Sequence, residues 1–172
     1  VPLEVGFEVQ DETGAPLPAA RVDIWHCDAS GLYSGYAGQG DDGKTSTVGE
    51  KFLRGVQTTG ADGVAAFTTI YPGWYRGRTT HIHFKVWQGA TAVLTSQFSL
   101  PDALSEFLYT QLADYKRASL RDTLNSTDGI MIQAGATVMG NVREEKDRYI
   151  ATLAVYVDRN AKPTVERGGA AG

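Results

Sequence analysis

The chain is short of cysteine, of clustered basic residues and of long apolar runs, and each shortage removes a class of protein. One cysteine, Cys27, in 172 residues admits no internal disulfide, so the fold does not rest on covalent staples and a buried structural thiol is the expected role. Lys and Arg number 16 against 20 Asp and Glu, for a net charge of -4. With no basic cluster to grip a phosphate backbone, nucleic acid is not an expected partner. No apolar stretch approaches the roughly 20 residues of a membrane-spanning helix and no lipidation motif is present, so a membrane is not an expected partner either.

What remains is an ordinary globular composition, 42% hydrophobic and 21% charged, with 20 glycines that lean it toward a turn-rich β protein. This length suits one domain that buries roughly 70% of its unfolded surface. We place that domain at residues 1–165 and a linker-like tail, Arg-Gly-Gly-Ala-Ala-Gly with its preceding residue, at 166–172. The missing initiator Met and this tail lead to the expectation of a piece cut from a longer, secreted precursor. Oligomeric state is not encoded in any feature of the sequence.

Short alternating segments set the fold class. Residues 3–10 alternate and end at Asp11-Glu12-Thr13-Gly14, a strand followed by a turn. Residues 21–26 place Val22, Ile24 and His26 on one face and Asp23 and Trp25 on the other. Residues 31–47 are rich in Gly, Asp and Ser, too polar for a core element, yet carry Tyr33 and Tyr36. Segments 52–58 and 64–69 flank Thr59-Gly60-Ala61-Asp62-Gly63, a hairpin signal. Strands are also expected at 81–87, at 92–99 and at 149–157, where Ile150, Thr152, Ala154 and Tyr156 share a face. The one helical candidate is 101–115, opened by Pro and Asp, with Leu104, Phe107, Leu108 and Leu112 near helical spacing; residues 117–129 read as a polar loop. The expected architecture is all-β, an antiparallel β-sandwich of seven to eight strands with one or two short helical turns.

The chemistry concentrates in residues 71–86, which hold His81, His83, Tyr71, Tyr75, Arg76 and Arg78. On a strand, His81 and His83 point to one face and Ile82, Phe84 and Val86 to the other. Their Cβ atoms then lie roughly 6 to 7 Å apart, close enough for both rings to reach one ion. A His-x-His pair alone is a weak signal, since polar residues on an exposed strand face are commoner than metal ligands. No Cys, Asp or Glu stands at ligand spacing, so the pair fits neither a thiolate zinc site nor a two-His-one-carboxylate Fe(II) site. Tyrosines are the remaining donors, and a phenolate suits a hard trivalent ion such as Fe(III).

Several segments taken in order then match one family. Val22-Asp23-Ile24-Trp25-His26-Cys27-Asp28, Gly31-Leu32-Tyr33-Ser34, Pro72-Gly73-Trp74-Tyr75, Arg78-Thr79-Thr80-His81-Ile82-His83-Phe84 and Gln97 resemble the motifs of the intradiol ring-cleavage dioxygenases, and the chain's size resembles that family's minimal β-sandwich core. The resemblance implies one mononuclear Fe(III) held by Tyr33, Tyr75, His81 and His83. It further implies an active-site arginine at Arg78 and a supporting glutamine at Gln97. The implied substrates are a catechol-type diol and O₂, with both oxygen atoms entering a cis,cis-muconate-type product. In this reading Tyr75 is displaced when the diol binds.

Two other readings compete. One is a zinc or Fe(II) enzyme built on His26, His81 and His83, against which His26 reads as a hydrogen-bonded core residue. The other is a non-catalytic β-sandwich module of carbohydrate-binding type, with Trp25, Trp74 and Trp87 as stacking platforms. Tyr36 and Tyr71 are alternative aromatics near the motifs; the motif register favours Tyr33 and Tyr75.

Overall fold

The structure, a computed structural model, describes residues 1–160; the expected tail at 166–172 lies outside the described residues. Two four-stranded sheets face each other. One has the order β4-β1-β8-β7 and the other β3-β2-β5-β6, where β1 is Pro2–Gln10, β2 Arg21–Trp25, β3 Arg54–Thr58, β4 Val64–Ile70, β5 His81–Gln88, β6 Thr91–Ser99, β7 Asn141–Glu144 and β8 Tyr149–Tyr156. The pairings are antiparallel except β1 with β8, which is parallel. The all-β sandwich expected from the alternation is the one observed.

Alternation determines what each strand buries. Leu3, Val5, Phe7 and Val9 of β1 point inward, as do Val22 and Ile24 of β2, Ile82, Phe84 and Val86 of β5, and Ala151, Leu153 and Val155 of β8. Phe7 joins the sheets, with its ring centroid 4.8 Å from Phe84, 6.1 Å from Phe98 and 6.1 Å from Phe67. Truncating such a core aromatic to alanine costs about 3–5 kcal/mol. Because Ile82 and Phe84 fill the core, His81 and His83 must stand on the outer face of the second sheet.

The hairpin expectation needs correction. The 59–63 turn forms, with Gly60 N–H bonded to the Val64 carbonyl at 3.0 Å, but β3 pairs with β2 while β4 pairs with β1, so the turn crosses between sheets and is not a hairpin. Ala65 and Phe67 bury against the core while β3 is an exposed edge, with Val56 60% exposed. The helix, α1 (Asp102–Gln111), buries Ser105, Leu108 and Tyr109 and leaves Phe107 54% exposed. Beyond the polar 117–129 loop, the structure adds α2 (Gly129–Ala134), a 3-10 turn at Gly135–Val138 and β7, none of which periodicity revealed.

Helix α1 matters to the site because it braces the segment carrying it. Thr80 bonds the Tyr109 hydroxyl at 2.7 Å, Tyr109 donates to the Pro72 carbonyl at 2.8 Å, and the Tyr71 hydroxyl meets Ser105 at 2.8 Å. Tyr71 is thereby a core residue.

Candidate active site

The outer face of the second sheet is organised by register. Trp25 of β2 and Gln97 of β6 lie directly opposite His83 on its two sides, and Arg54 of β3 lies opposite Trp25. The side chains therefore form one row across four strands, in the order Arg54, Trp25, His83, Gln97. Trp25 stacks on His83, centroids 5.0 Å apart and planes within 2°, which fixes the imidazole's plane. His81, one step along β5, donates Nδ1–H to the Thr79 carbonyl at 2.7 Å, leaving its Nε2 lone pair aimed outward.

The tyrosines arrive from two loops that cross at glycines. Gly73 N–H bonds the Asp28 carbonyl at 2.9 Å, and a Cβ on Gly73 would sit 2.4 Å from the Ala29 oxygen. Gly31 adopts a φ of +85°, and a Cβ there would lie 2.1 Å from the Trp74 oxygen. Only glycine permits both approaches. Loop 31–47, glycine-rich as it is, is held by side chains. Gln39 accepts from Tyr33 N–H at 2.7 Å and donates to the Tyr33 carbonyl at 2.9 Å, and Arg54 donates to Ser34 through Nε at 2.9 Å and Nη2 at 2.8 Å.

Four donor atoms converge as a result. His81 Nε2 lies 3.1 Å from His83 Nε2, 3.1 Å from the Tyr75 hydroxyl and 3.4 Å from the Tyr33 hydroxyl, and the two hydroxyls are 3.5 Å apart. Ligands about 2.0–2.1 Å from one ion lie about 3.3 Å from one another in a tetrahedron, so this spacing suits donors to a single ion. Burial drives all four toward neutrality in the metal-free protein: the Tyr75 phenol is pushed up to about 12 and Tyr33 well above its usual value, while His83 is pushed down to about 3 and His81 well below its usual value. Neutral imidazoles are the form a metal needs, and a bound cation would offset the cost of ionising the phenols. Tyr36 is 39% exposed at the rim, in edge contact with Tyr33.

Arg78 is buried at 8% exposure and donates to Gln97 Oε1 through Nη2. Its positive charge acts on all four donors. Its other partner is one the sequence reading missed. Asp128, 1% exposed, accepts from Arg78 Nε at 2.9 Å and caps α2 by accepting from Ile130 and Met131 N–H. An Asp-Gly step before an apolar run is an N-cap signal, but nothing local points it to an arginine 50 residues away.

Cavities flank the cluster on two sides. One of about 320 Å³ is lined by His83, Gln97, Ile130 and Met131, and one of about 200 Å³ by Tyr33, Tyr75, Arg76 and Arg117. A larger one, about 580 Å³, lined by Leu94, Val138 and Tyr156, holds none of the converging groups.

The competing readings fit less well. His26 is spent in the fold, with Nδ1 against the Cys27 carbonyl at 2.7 Å and Nε2 against Thr69 at 2.8 Å. Among the described residues no group of three His, Cys, Asp or Glu stands together as metal donors, so a three-histidine centre is not formed. Each tryptophan is engaged within the protein, Trp25 by His83, Trp74 by Arg117 at 4.0 Å and Trp87 by Arg21 at 4.3 Å. Cys27 is buried and its thiol pushed up to about 12 by desolvation, as an inert structural residue should be.

Known proteins share the sequence pattern and the fold of this chain. A family model described as Dioxygenase matches residues 1–128. Catechol 1,2-dioxygenase 1 of Acinetobacter lwoffii is 29% identical over 117 residues, 58% of this chain and 36% of that protein, so the chain spans well under half of this curated relative. Among solved structures, an intradiol ring-cleavage dioxygenase from Tetranychus urticae superposes with a TM-score of 0.82 at 26% identity, over 95% of this chain and 84% of that one. The dioxygenase domain of a dioxygenase–carbohydrate-binding protein fusion from Streptomyces sp. SirexAA-E gives 0.65 at 29% identity, over 92% and 80%. With the family model covering most of its length and two such structures sharing its fold, the chain belongs to the intradiol ring-cleavage dioxygenase family.

Proposed function

We propose that the protein cleaves catechol-type diols between their two hydroxyl-bearing carbons, incorporating both atoms of O₂, with an Fe(III) ion held by Tyr33, Tyr75, His81 and His83. The observation that carries this is the convergence of two phenols and two neutral imidazoles within 3.1–3.5 Å of their neighbours. Two phenolates leave a trivalent ion with one net positive charge, an arrangement a buried site tolerates better than a bare cation. When bound, the ion supplies the Lewis acidity that chelates the diol and makes its ring reactive toward O₂.

The chain's own residues divide the remaining work. Tyr33 is 8% exposed and locked by Gln39, whereas Tyr75 is half-buried and, among the hydrogen bonds described, is held only through its hydroxyl and by a long 3.4 Å bond from Arg78 N–H to its carbonyl. Tyr75 is accordingly the donor that would give way to an incoming diol. Its phenolate would then be the base within reach of the proton on the incoming second hydroxyl. Arg78 faces the negative charge that develops on the ring, where loss of one fixed donor costs about 3–4 kcal/mol. Gln97 holds the guanidinium in place, and Trp25 keeps the His83 ring from turning.

The test is oxygen uptake on adding catechol to the iron-loaded protein, with muconate absorbance rising in the ultraviolet and a purple-red colour before substrate. Iron-loaded protein with neither uptake nor product would return the reading to a non-catalytic module. Arg78→Ala is expected to keep iron and colour while turnover falls by about 10²–10³.

A further inference from the structure

We propose that Asp128 is a positioning residue that ties the guanidinium of Arg78 to the wall of the adjoining cavity, so that one carboxylate sets both. The inference rests on the intradiol reading above. Both oxygens of Asp128 are committed. Oδ2 accepts from Arg78 Nε and from Thr79 N–H, each at 2.9 Å, and Oδ1 accepts from Ile130 N–H at 2.9 Å and Met131 N–H at 3.1 Å. The carboxylate is 1% exposed and the guanidinium 8%, so water does not compete for either, and charge-assisted bonds of this kind are the strong ones.

The guanidinium is therefore clamped from two directions. Asp128 holds its Nε edge from the α2 side, and Gln97, opposite His83 in the β5–β6 register, accepts from Nη2. The same carboxylate begins α2, whose Ile130 and Met131 face the cavity shared with His83 and Gln97. Six residues are too few to hold a helix by themselves, so α2 stands where its cap and the buried Met131 put it. A ring substituent that presses on Ile130 or Met131 pushes on the carboxylate that aims Arg78. Ring fit and the charge available for turnover are thus set by one group.

The experiment compares wild type, Asp128→Asn, Arg78→Ala and the double variant, all loaded with iron and assayed with catechol. The Asn variant keeps the size and a capping oxygen for α2 but replaces the negative acceptor of Arg78 with an amide. Iron content and colour are expected to match wild type, kcat to fall about tenfold to a hundredfold, and KM to stay within about threefold. In the Arg78→Ala background the same change should add less than about twofold. A second readout needs no turnover: the Arg78 Nε–H resonance of the metal-free protein, slow to exchange in wild type, should lose that protection in Asp128→Asn.

A merely structural Asp128 would lower kcat by the same factor in both backgrounds, and that additivity overturns the proposal. So does Asp128→Asn with wild-type kcat and a protected resonance. If Arg78→Ala loses turnover while Asp128→Asn does not, the positioning role fails and the functional reading stands; if iron-loaded wild type consumes no O₂ with catechol, the reading itself fails and takes the proposal with it. Should Asp128→Asn not fold, Asp128→Ser, which retains a capping oxygen, enters the same cycle with the same outcomes.

Discussion

His81 and His83 owe their convergence to a spacing of two on a single strand, whereas Tyr33 and Tyr75, 42 residues apart, meet within 3.5 Å because two loops cross. The histidine half needs nothing beyond the sheet: once Ile82 and Phe84 are buried, both imidazoles are delivered to the outer face. The tyrosine half depends on two glycines, on Gln39 and on the Arg54–Ser34 bonds. A rigid half and an assembled half should fail differently.

The sharpest way to separate them is to remove both phenols. Tyr33→Phe combined with Tyr75→Phe leaves the sheet and the histidine pair untouched, and visible colour and turnover should vanish; iron analysis and an absorbance spectrum decide, and unchanged colour would show that other donors hold the ion. Next in size is Gly31→Ala, which drives a methyl toward the Trp74 carbonyl at a φ of +85°. We expect about 3 kcal/mol of destabilisation and loss of iron with the β-sheet circular dichroism retained. Full iron loading in that variant would mean that the crossing does not hold the tyrosines in place.

Acid should distinguish the halves in the metal-free protein. Desolvation lowers His26 to about 4, His83 to about 3 and His81 well below its ordinary value, so below pH 6.5 the unfolded chain binds protons that the folded chain refuses. Stability is full above that pH and falls as pH drops, by about 1.4 kcal/mol per unit for each histidine. The phenols take no part in that range. Denaturant midpoints at pH 7 and pH 4.5 measure the slope, and His26→Gln should remove one histidine's share. The smallest effect is expected of Gln39→Ala, which loosens the Tyr33 loop by about 1 kcal/mol; chelator competition should show faster iron loss with the histidine pair intact.

Much of this was legible in the chain because it is local. Alternation through residues 81–86 put both histidines on one face, and the ordered motifs singled out Tyr33 over the rim residue Tyr36 and Tyr75 over the core residue Tyr71. What misled was also local. Thr59 to Gly63 has the chemistry of a hairpin turn, and a turn forms, but turn chemistry does not choose strand partners. Burial of Ala65 and Phe67 beside β1 does. Residues 129–144 carry no clear period since α2 has six residues and β7 four, too short for a pattern to show.

The sequence by itself determined the identities of the converging side chains, the histidine spacing, the all-β class and the absence of disulfide support, because these depend on identities and on neighbours two to four residues away. The tertiary structure alone decided which sheet each strand joins, how the tyrosine loops cross, and that Asp128 meets Arg78 across 50 residues. Those choices turn on surfaces that exist only once the two sheets have packed, where a buried carboxylate and a buried guanidinium must find each other to be tolerated at all.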